Sequence, residues 1–285
     1  GLITQSMDVV IPRFNLSWQP NLDVMVYATV ARGSRPGGGD AKYPTTGSYW
    51  SAVFAPYNYT SGQWPTQYKQ DHVWRYEVGN KLRLLNRRLT LNWSAYVEDW
   101  RDIQLEALPG DWQLNINGNK ATIWGGEVEA RADLGAGFNL SLSSSYTHAR
   151  VDPGSHWQIM PANVLSDVAP WTAHGVFSYA RPLSDTLTLN AMAENTFVDS
   201  RWSLAFGYGY STNGQYISLP SYDLTNLRVG VASSRGWKVD AFVNNVFNKH
   251  AQLESLFQET LPSAAFNRIV TNQPLTAGVD ISLKI

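Results

Sequence analysis

Apolar and polar residues alternate with a period of two along most of the chain. In "RLTLNWSAYV", Leu89, Leu91, Trp93, Ala95 and Val97 share one face, and Thr90, Asn92, Ser94 and Tyr96 share the other. "FNLSLSSSYTH" sets Phe138, Leu140, Leu142 and Tyr146 against Asn139, Ser141, Ser143 and Thr147. The C-terminal "LTAGVDISLKI" sets Leu275, Ala277, Val279, Ile281, Leu283 and Ile285 against Thr276, Asp280, Ser282 and Lys284. Helical spacing is nowhere comparable, so the pattern predicts an all-β chain. Eleven strands are expected, centred near residues 15, 27, 78, 95, 127, 143, 175, 192, 227, 242 and 279. The alternating runs last about 9 to 14 residues, whereas soluble strands average about five or six and a tilted strand crossing a bilayer needs about 9 to 11.

The connections alternate in length. Turn signals fall at "QPNLD" (19–23), "LNRR" (85–88), "LGAG" (134–137), "PLSD" (182–185) and "SSRG" (233–236). Long polar and aromatic stretches lie between them, near 32–71, 104–119, 150–169, 200–220 and 250–272. An antiparallel up-and-down meander with tight turns at one end and long loops at the other is the arrangement of an outer-membrane barrel, with turns in the periplasm and loops outside the cell. Alternation alone does not say which face meets lipid. The polar faces carry Glu127, Glu129, Asp240 and Asp280 in mid-strand, which a packed interior would not accept easily. Aromatics tend to sit near the ends of the apolar faces (Trp18, Trp74, Trp93, Tyr146, Trp171, Phe197, Trp237), where interface girdles belong. One stretch breaks the rule. In "WKVDAFVNNVFNKHAQ" the alternation ends in two amides, Asn244 and Asn245. They are expected where the strand leaves the apolar band, with an amide bonding backbone across a bulge or simply ending the strand.

Composition fits this picture. Of 285 residues 12 are Trp, aromatics make up 13% and charged residues 16%, and the net charge of −1 implies no polyanion partner and no nucleic acid. There is no cysteine, so disulfides and thiolate metal sites are excluded. No apolar run reaches the length of a membrane helix. No GxSxG, HExxH or P-loop motif is present, and His72, His148, His156, His174 and His250 show no metal-ligand spacing. No enzyme, cofactor or metal is expected. The last strand runs toward the short-turn side, and with eleven strands so does the first. A closed even barrel then needs at least one strand before Gly1, so the chain reads as half of a barrel near 22 strands, the size of plugged transporters.

Five segments, in order, resemble one family. "VMVYATVARGSRPGGG" (24–39), "YEVGNKLRLLNRRLTLNWSAYVEDWRDIQL" (76–105), "NGNKATIWGGEVEARADL" (117–134), "VNNVFNKH" (243–250) and the final strand are similar to the C-terminal barrel of TonB-dependent outer-membrane receptors. The chain departs from that pattern at Asn80, His250 and the terminal Ile285. The resemblance implies residues 1–285 to be the C-terminal part of such a barrel, with the plug domain and first strands lying outside it. It implies an outer-membrane importer of a scarce nutrient, foremost an iron–siderophore complex, energised by the TonB complex through an N-terminal region. Cobalamin, haem, nickel chelates and oligosaccharides fit the same barrel. Ligand contacts are expected in the loops, at Tyr57, Trp64, Trp157 and Tyr210, with Arg35 and Arg201 for an anionic ligand. Packing of these aromatics against one another, and contact with lipopolysaccharide, are the alternative roles. Glu127 and Glu129 should face the lumen and help seat the plug, or stand there as solvated charges. Two other readings are a passive porin-like or adhesion barrel without a plug, and a soluble Trp-rich carbohydrate-binding β protein.

Overall fold

The computed structural model of the chain describes residues 9–40, 66–107, 114–152, 164–204, 216–261 and 264–284. Every regular element among them is a strand: β1 (Arg13–Asn21), β2 (Val24–Arg35), β3 (Gly38–Gly39), β4 (Gln67–Tyr68), β5 (Asp71–Leu84), β6 (Leu89–Arg101), β7 (Gln104–Ala107), β8 (Leu114–Asn117), β9 (Lys120–Gly135), β10 (Phe138–Val151), β11 (Trp171–Pro182), β12 (Leu187–Val198), β13 (Arg201–Leu204), β14 (Tyr216–Leu219), β15 (Tyr222–Ser233), β16 (Trp237–Asn244), β17 (Gln252–Leu261), β18 (Ala264–Thr271) and β19 (Thr276–Leu283). Eleven of these form one sheet in chain order, β1-β2-β5-β6-β9-β10-β11-β12-β15-β16-β19, with every pair antiparallel. They are the eleven strands the alternation predicts. The sequence pattern did not predict the other eight, which pair two by two into ribbons β3–β4, β7–β8, β13–β14 and β17–β18. Each ribbon prolongs a long connection on the same end of the sheet. Runs such as "QLESLFQETL" carry no consistent two-residue alternation, because a ribbon at a rim has no single oily face to bury.

The tight end is built by left-handed backbone. Leu85, Asn86 and Arg87 all have positive φ, as do Gly135, Ala136 and Gly137. Consecutive positive φ values match the right-handed twist of the flanking strands and make a hairpin that closes within a few residues.

The two faces differ in kind. On one, Trp93, Val97, Trp124, Val128, Leu142, Phe177, Leu227 and Val229 leave 42–50% of their area uncovered although they sit in the middle of the sheet. A water-soluble protein does not leave a patch this broad exposed, and hydrocarbon is the solvent that suits it. Aromatic clusters bound it at both ends. Trp124, Tyr146 and Trp171 pack at the loop end with centroids 5.4 and 4.7 Å apart, and Phe138 packs on Tyr179 at 4.3 Å at the turn end. Tyr146 and Phe138 lie eight positions apart on β10. At about 3.3 Å per residue and a tilt of about 40° that is roughly 20 Å of height, close to the apolar band of a membrane barrel.

The other face is polar and concave, holding a cleft of about 610 Å³ lined by Tyr27, Ser94, Glu127, Ser145, Thr172 and His174. Its few buried apolar residues gather near the loop end, where Tyr96, Ile123 and Ala149 pack with Trp100 and with Leu165 and Val168 of the β10–β11 connection. The inner aromatics lie flat across glycines. Tyr27 pairs directly with Gly79, and Tyr96 with Gly125, which pairs in turn with Thr147. A methyl group on Gly79 would stand 2.7 Å from the Tyr27 hydroxyl, and one on Gly125 would stand 2.8 Å from the Tyr96 hydroxyl. The missing side chain lets Tyr96 reach over a whole strand and bond Thr147 Oγ1 at 3.1 Å. Gly125→Val is therefore expected to destabilise the barrel by about 1–3 kcal/mol through overpacking. The midpoint of urea unfolding in lipid vesicles, followed on heat-modifiable gel mobility, measures it, while Gly175→Ala on the lipid side, which meets only the movable end of Leu142, leaves the midpoint near wild type.

Candidate functional site: the polar inner wall and the loop-end rim

A chain of polar contacts runs across the inner wall. The Tyr27 hydroxyl donates to Glu77 Oε1 at 2.9 Å, and Arg75 donates to Glu77 Oε2 through Nε (2.9 Å) and Nη2 (2.8 Å). Arg75 Nη1 donates to Glu98 Oε1 at 2.7 Å, and its guanidinium carbon lies 4.0 Å from the Tyr96 ring centroid. The alternation places each of these on the polar face, so β2, β5, β6 and β10 are tied together on the side away from lipid. A second group joins β11, β12 and β15, with Glu194 accepting from Asn226 Nδ2 at 3.1 Å beside His174 Nε2 at 3.6 Å. A third joins β15, β16 and β19. The Asp240 carboxylate, 4% exposed, lies 2.7 Å from Lys238 and 3.6 Å from Arg228, and Arg228 also lies 3.9 Å from Asp280.

Glu127 and Glu129 are on this wall, and Val128 faces outward between them. Glu129 pairs with Arg131 at 2.6 Å and accepts weakly from Asn92 Nδ2 at 3.4 Å. Glu127 is exposed and has no hydrogen bond or ion pair among the described residues.

Two locks close the loop-end rim. Asp71, 1% exposed, accepts from Arg35 N (3.0 Å), Arg35 Nε (2.8 Å), Arg35 Nη2, Trp100 Nε1 (3.0 Å) and Gln104 N (3.2 Å). One carboxylate thus joins the end of β2, the start of β5, the end of β6 and the start of β7. Gln104 Nε2 and Asn117 Nδ2 both donate to Lys69 O at 3.0 Å and stitch the same two connections together.

The second lock is the asparagine pair. Asn244 ends β16, paired with Thr276. Asn245 turns left-handed at φ 51° and is 5% exposed. Its Nδ2 donates to Lys249 O (2.9 Å) and Gln273 O (3.0 Å), and its Oδ1 accepts from Lys249 N (2.8 Å). The amide bonds backbone as expected, but across a tight turn and to the approach of the last strand. Pairing of β16 with β15 and β19 keeps a continuous register with no bulge. Asparagine suits both demands, tolerating the left-handed region and filling three backbone partners from one side chain.

Arg35 is committed to Asp71. Arg201 begins β13, donates through Nη2 to Leu253 O, has its guanidinium 6.0 Å from the Tyr222 ring, and keeps Nη1 buried without a partner among the described residues. Tyr57, Trp64, Trp157 and Tyr210 lie outside the described residues. Sequence reasoning missed Arg75, Glu77 and Glu98 as one connected set, and Asp71 as the centre of another. Each shows as a lone charge on a polar face, and only register brings them together. Beyond the sheet, Asp40 follows β3 and accepts from Asn115 N at 3.1 Å, while its other carboxyl oxygen is buried without a partner among the described residues. Burial raises this carboxyl above the ordinary range, against the bonds from Asn115 that lower it.

The family model for the TonB dependent receptor-like β-barrel matches residues 3–246. Among solved structures, the ferric yersiniabactin uptake receptor FyuA from Yersinia pestis aligns at a TM-score of 0.71 and 16% identity, over 96% of this chain and 37% of that one. The copper transporter OprC aligns at 0.68 and 17%, over 95% and 39%, and the ferric-catecholate import receptor Fiu from E. coli K12 at 0.65 and 15%, over 95% and 34%. The chain thus spans between a third and two-fifths of the length of these proteins, and at such identities the likeness is one of fold.

Two outcomes test the rim. Asp71→Ala leaves buried N–H donors unpaired, at about 1–3 kcal/mol for an orphaned group. It should open the rim, read as faster limited trypsin cleavage after Lys69 with the strands still folded. Asp40 has a folded-state pKa above its unfolded one. Its contribution is therefore present below the unfolded value and is lost as pH rises through the raised one. Asp40→Asn should protect the β3–β4 ribbon against proteolysis at pH 7 relative to wild type, and the advantage should vanish near pH 3.

Proposed function

Because the chain belongs to the TonB-dependent receptor-like β-barrel family, we propose that it is the C-terminal part of the barrel of an outer-membrane receptor that imports a scarce nutrient, with an iron–siderophore complex as the leading ligand. The remaining barrel strands, the plug domain and the segment that engages TonB belong to the rest of that protein. The observation that carries this reading is the inner wall. A sheet whose outer face is apolar over the height of a membrane, and whose inner face holds ion-paired carboxylates and guanidinia in mid-strand, is the wall of a large barrel with polar contents. Water or a protein domain is such a content, and the unpaired Glu127 offers a contact to it. In this reading Glu127 and Glu129 help seat the plug, and the ligand is met by loop residues above the rim, with Tyr57, Trp64, Trp157, Tyr210 and Arg201 as candidates. Arg35 serves the ligand indirectly, by holding the loop bases through Asp71. The protein binds and moves its ligand and does no chemistry on it.

Uptake of radiolabelled iron carried by a panel of catecholate, hydroxamate and phenolate siderophores is the direct test, with the intact gene expressed in a receptor-deficient, siderophore-deficient Gram-negative host. At least one complex should be taken up, and deleting TonB should abolish that uptake. Uptake that persists without TonB identifies a passive channel instead. Replacing Glu127 and Glu129 together by Gln should lower uptake without lowering the amount of barrel in the membrane, and unchanged uptake rejects the seating role.

A further inference from the structure

Between two charged banks, the inner wall carries a strip without charge. The inward residues of β10 from its turn end are Asn139, Ser141, Ser143, Ser145 and Thr147, each short, polar and uncharged. At about 3.3 Å per residue and a tilt of about 40° the strip is roughly 20 Å tall, the height of the apolar band on the other face. Register widens it across β11 and β12. Ser145 faces Thr172 with the hydroxyl oxygens 2.7 Å apart, Ser143 faces His174, and His174 Nδ1 lies 3.1 Å from Thr196 Oγ1. These side chains floor the cleft of about 610 Å³. The charges stand to either side, with Glu127, Glu129 and Arg131 on β9 and Glu194 on β12. The upper end of the strip runs under the β10–β11 connection, where Leu165 and Val168 pack on the wall and Asp167 N donates to Trp202 O of β13 at 2.7 Å. The strip thus begins at the base of the loops and ends near the tight turns.

We propose that this strip is a track along which the cargo, a polar metal chelate, slides from the loops toward the turns, passed from hydroxyl to hydroxyl. The proposal rests on the import reading above and adds which part of the lumen wall the cargo follows. A path must hold its cargo at several sites and weakly at each, so that one site releases it to the next. Hydroxyls meet that demand, because each donates or accepts as the passing group requires. None carries a charge that would trap an ion or strip it of water. Short side chains also keep the floor low, so the room above it belongs to whatever passes. A permanent protein contact would be built differently. Serine and threonine bury little apolar area, so a domain seated on them gains little. Glu127 and Glu129 on the adjoining bank offer the plug its anchors, and the hydroxyl floor beside them is left to the cargo.

The intact receptor is expressed in the host described above and given the ferric hydroxamate, catecholate and phenolate complexes of the panel. Ser143→Trp raises the floor at mid-height. It should slow uptake by about tenfold or more, as when one of a series of weak sites becomes a constriction. Binding of the same complex to cells lacking TonB should stay at wild-type level, because the loops are untouched. Ser143→Thr, which keeps the hydroxyl, and Ser282→Trp, inward on β19 but off the strip, should take up the complex as wild type does. Equal uptake by Ser143→Trp and wild type overturns the track and leaves the import reading standing. Uptake of none of the complexes by wild type overturns both. Vancomycin sensitivity is scored in the same cells. If Ser143→Trp makes them sensitive, the strip is a seat that keeps the plug closed, and the track is overturned. If Ser143→Trp fails to fold, Ser143→Cys replaces it, in a chain whose 285 residues hold no other cysteine. A methanethiosulfonate reagent added during uptake should then modify that thiol and slow uptake to the same degree. Failure to modify it, or modification without effect, overturns the proposal.

Discussion

One layer of sheet here separates two solvents, and every other feature of the structure answers to that constraint. Hydrocarbon offers no hydrogen bonds, so the backbone must satisfy itself strand to strand along its whole crossing. That demands long strands in an unbroken antiparallel order, and the eleven-stranded sheet has them. It also forbids an apolar face from hiding in a core. The large outward residues stay uncovered in mid-sheet because lipid completes their packing. The same rule makes the two edges of the sheet conspicuous. β1 and β19 run in the same direction, as the ends of an odd antiparallel series must, and they cannot close on each other as an antiparallel pair.

A single layer also has no second sheet to fix its inner side chains, so the inner wall fixes itself. Small residues beneath and large ones across them do this sterically: Tyr27 lies over Gly79 and Tyr96 over Gly125. Charges do it electrostatically, through Tyr27–Glu77–Arg75–Glu98 on one part of the wall and Lys238–Asp240–Arg228–Asp280 on another. These pairs are part-exposed on a wet face, and exposed ion pairs are individually worth little. Their effect is to hold neighbouring strands in one register, and with it one pattern of what the lumen presents.

The rim is where the sheet hands over to the loops, and it is the most specifically bonded region described. Asp71 draws five donors from three connected segments, and Asn245 fills three backbone partners from one amide. A binding surface carried on long loops needs its bases held, because a loop anchored only at its strand ends loses much of its orientation to entropy. The two locks supply that anchorage at opposite parts of the sheet. The outer side of the same rim is chemically different, carrying the packed rings of Trp124, Tyr146 and Trp171.

The sequence by itself determined the eleven strands, the end at which they turn tightly, and the face each residue takes. All three depend on period-two alternation and local turn chemistry, which are properties of neighbouring residues. It placed Val128 outward and Glu127 and Glu129 inward because mid-strand charge and aromatics at the ends of the apolar faces mark which face meets lipid. It located the oddity at Asn244–Asn245 and the expectation that an amide there bonds backbone. What it could not supply was partnership. Asp71 lies 33 positions from Gln104, and Asn245 lies 28 from Gln273, so nothing local marks them as bonded. The ribbons were illegible too, because a short strand at a wet rim buries no face and leaves no period. Tertiary structure decided these through register, which sets residues remote in the chain side by side and turns isolated charges and amides into the locks of the rim.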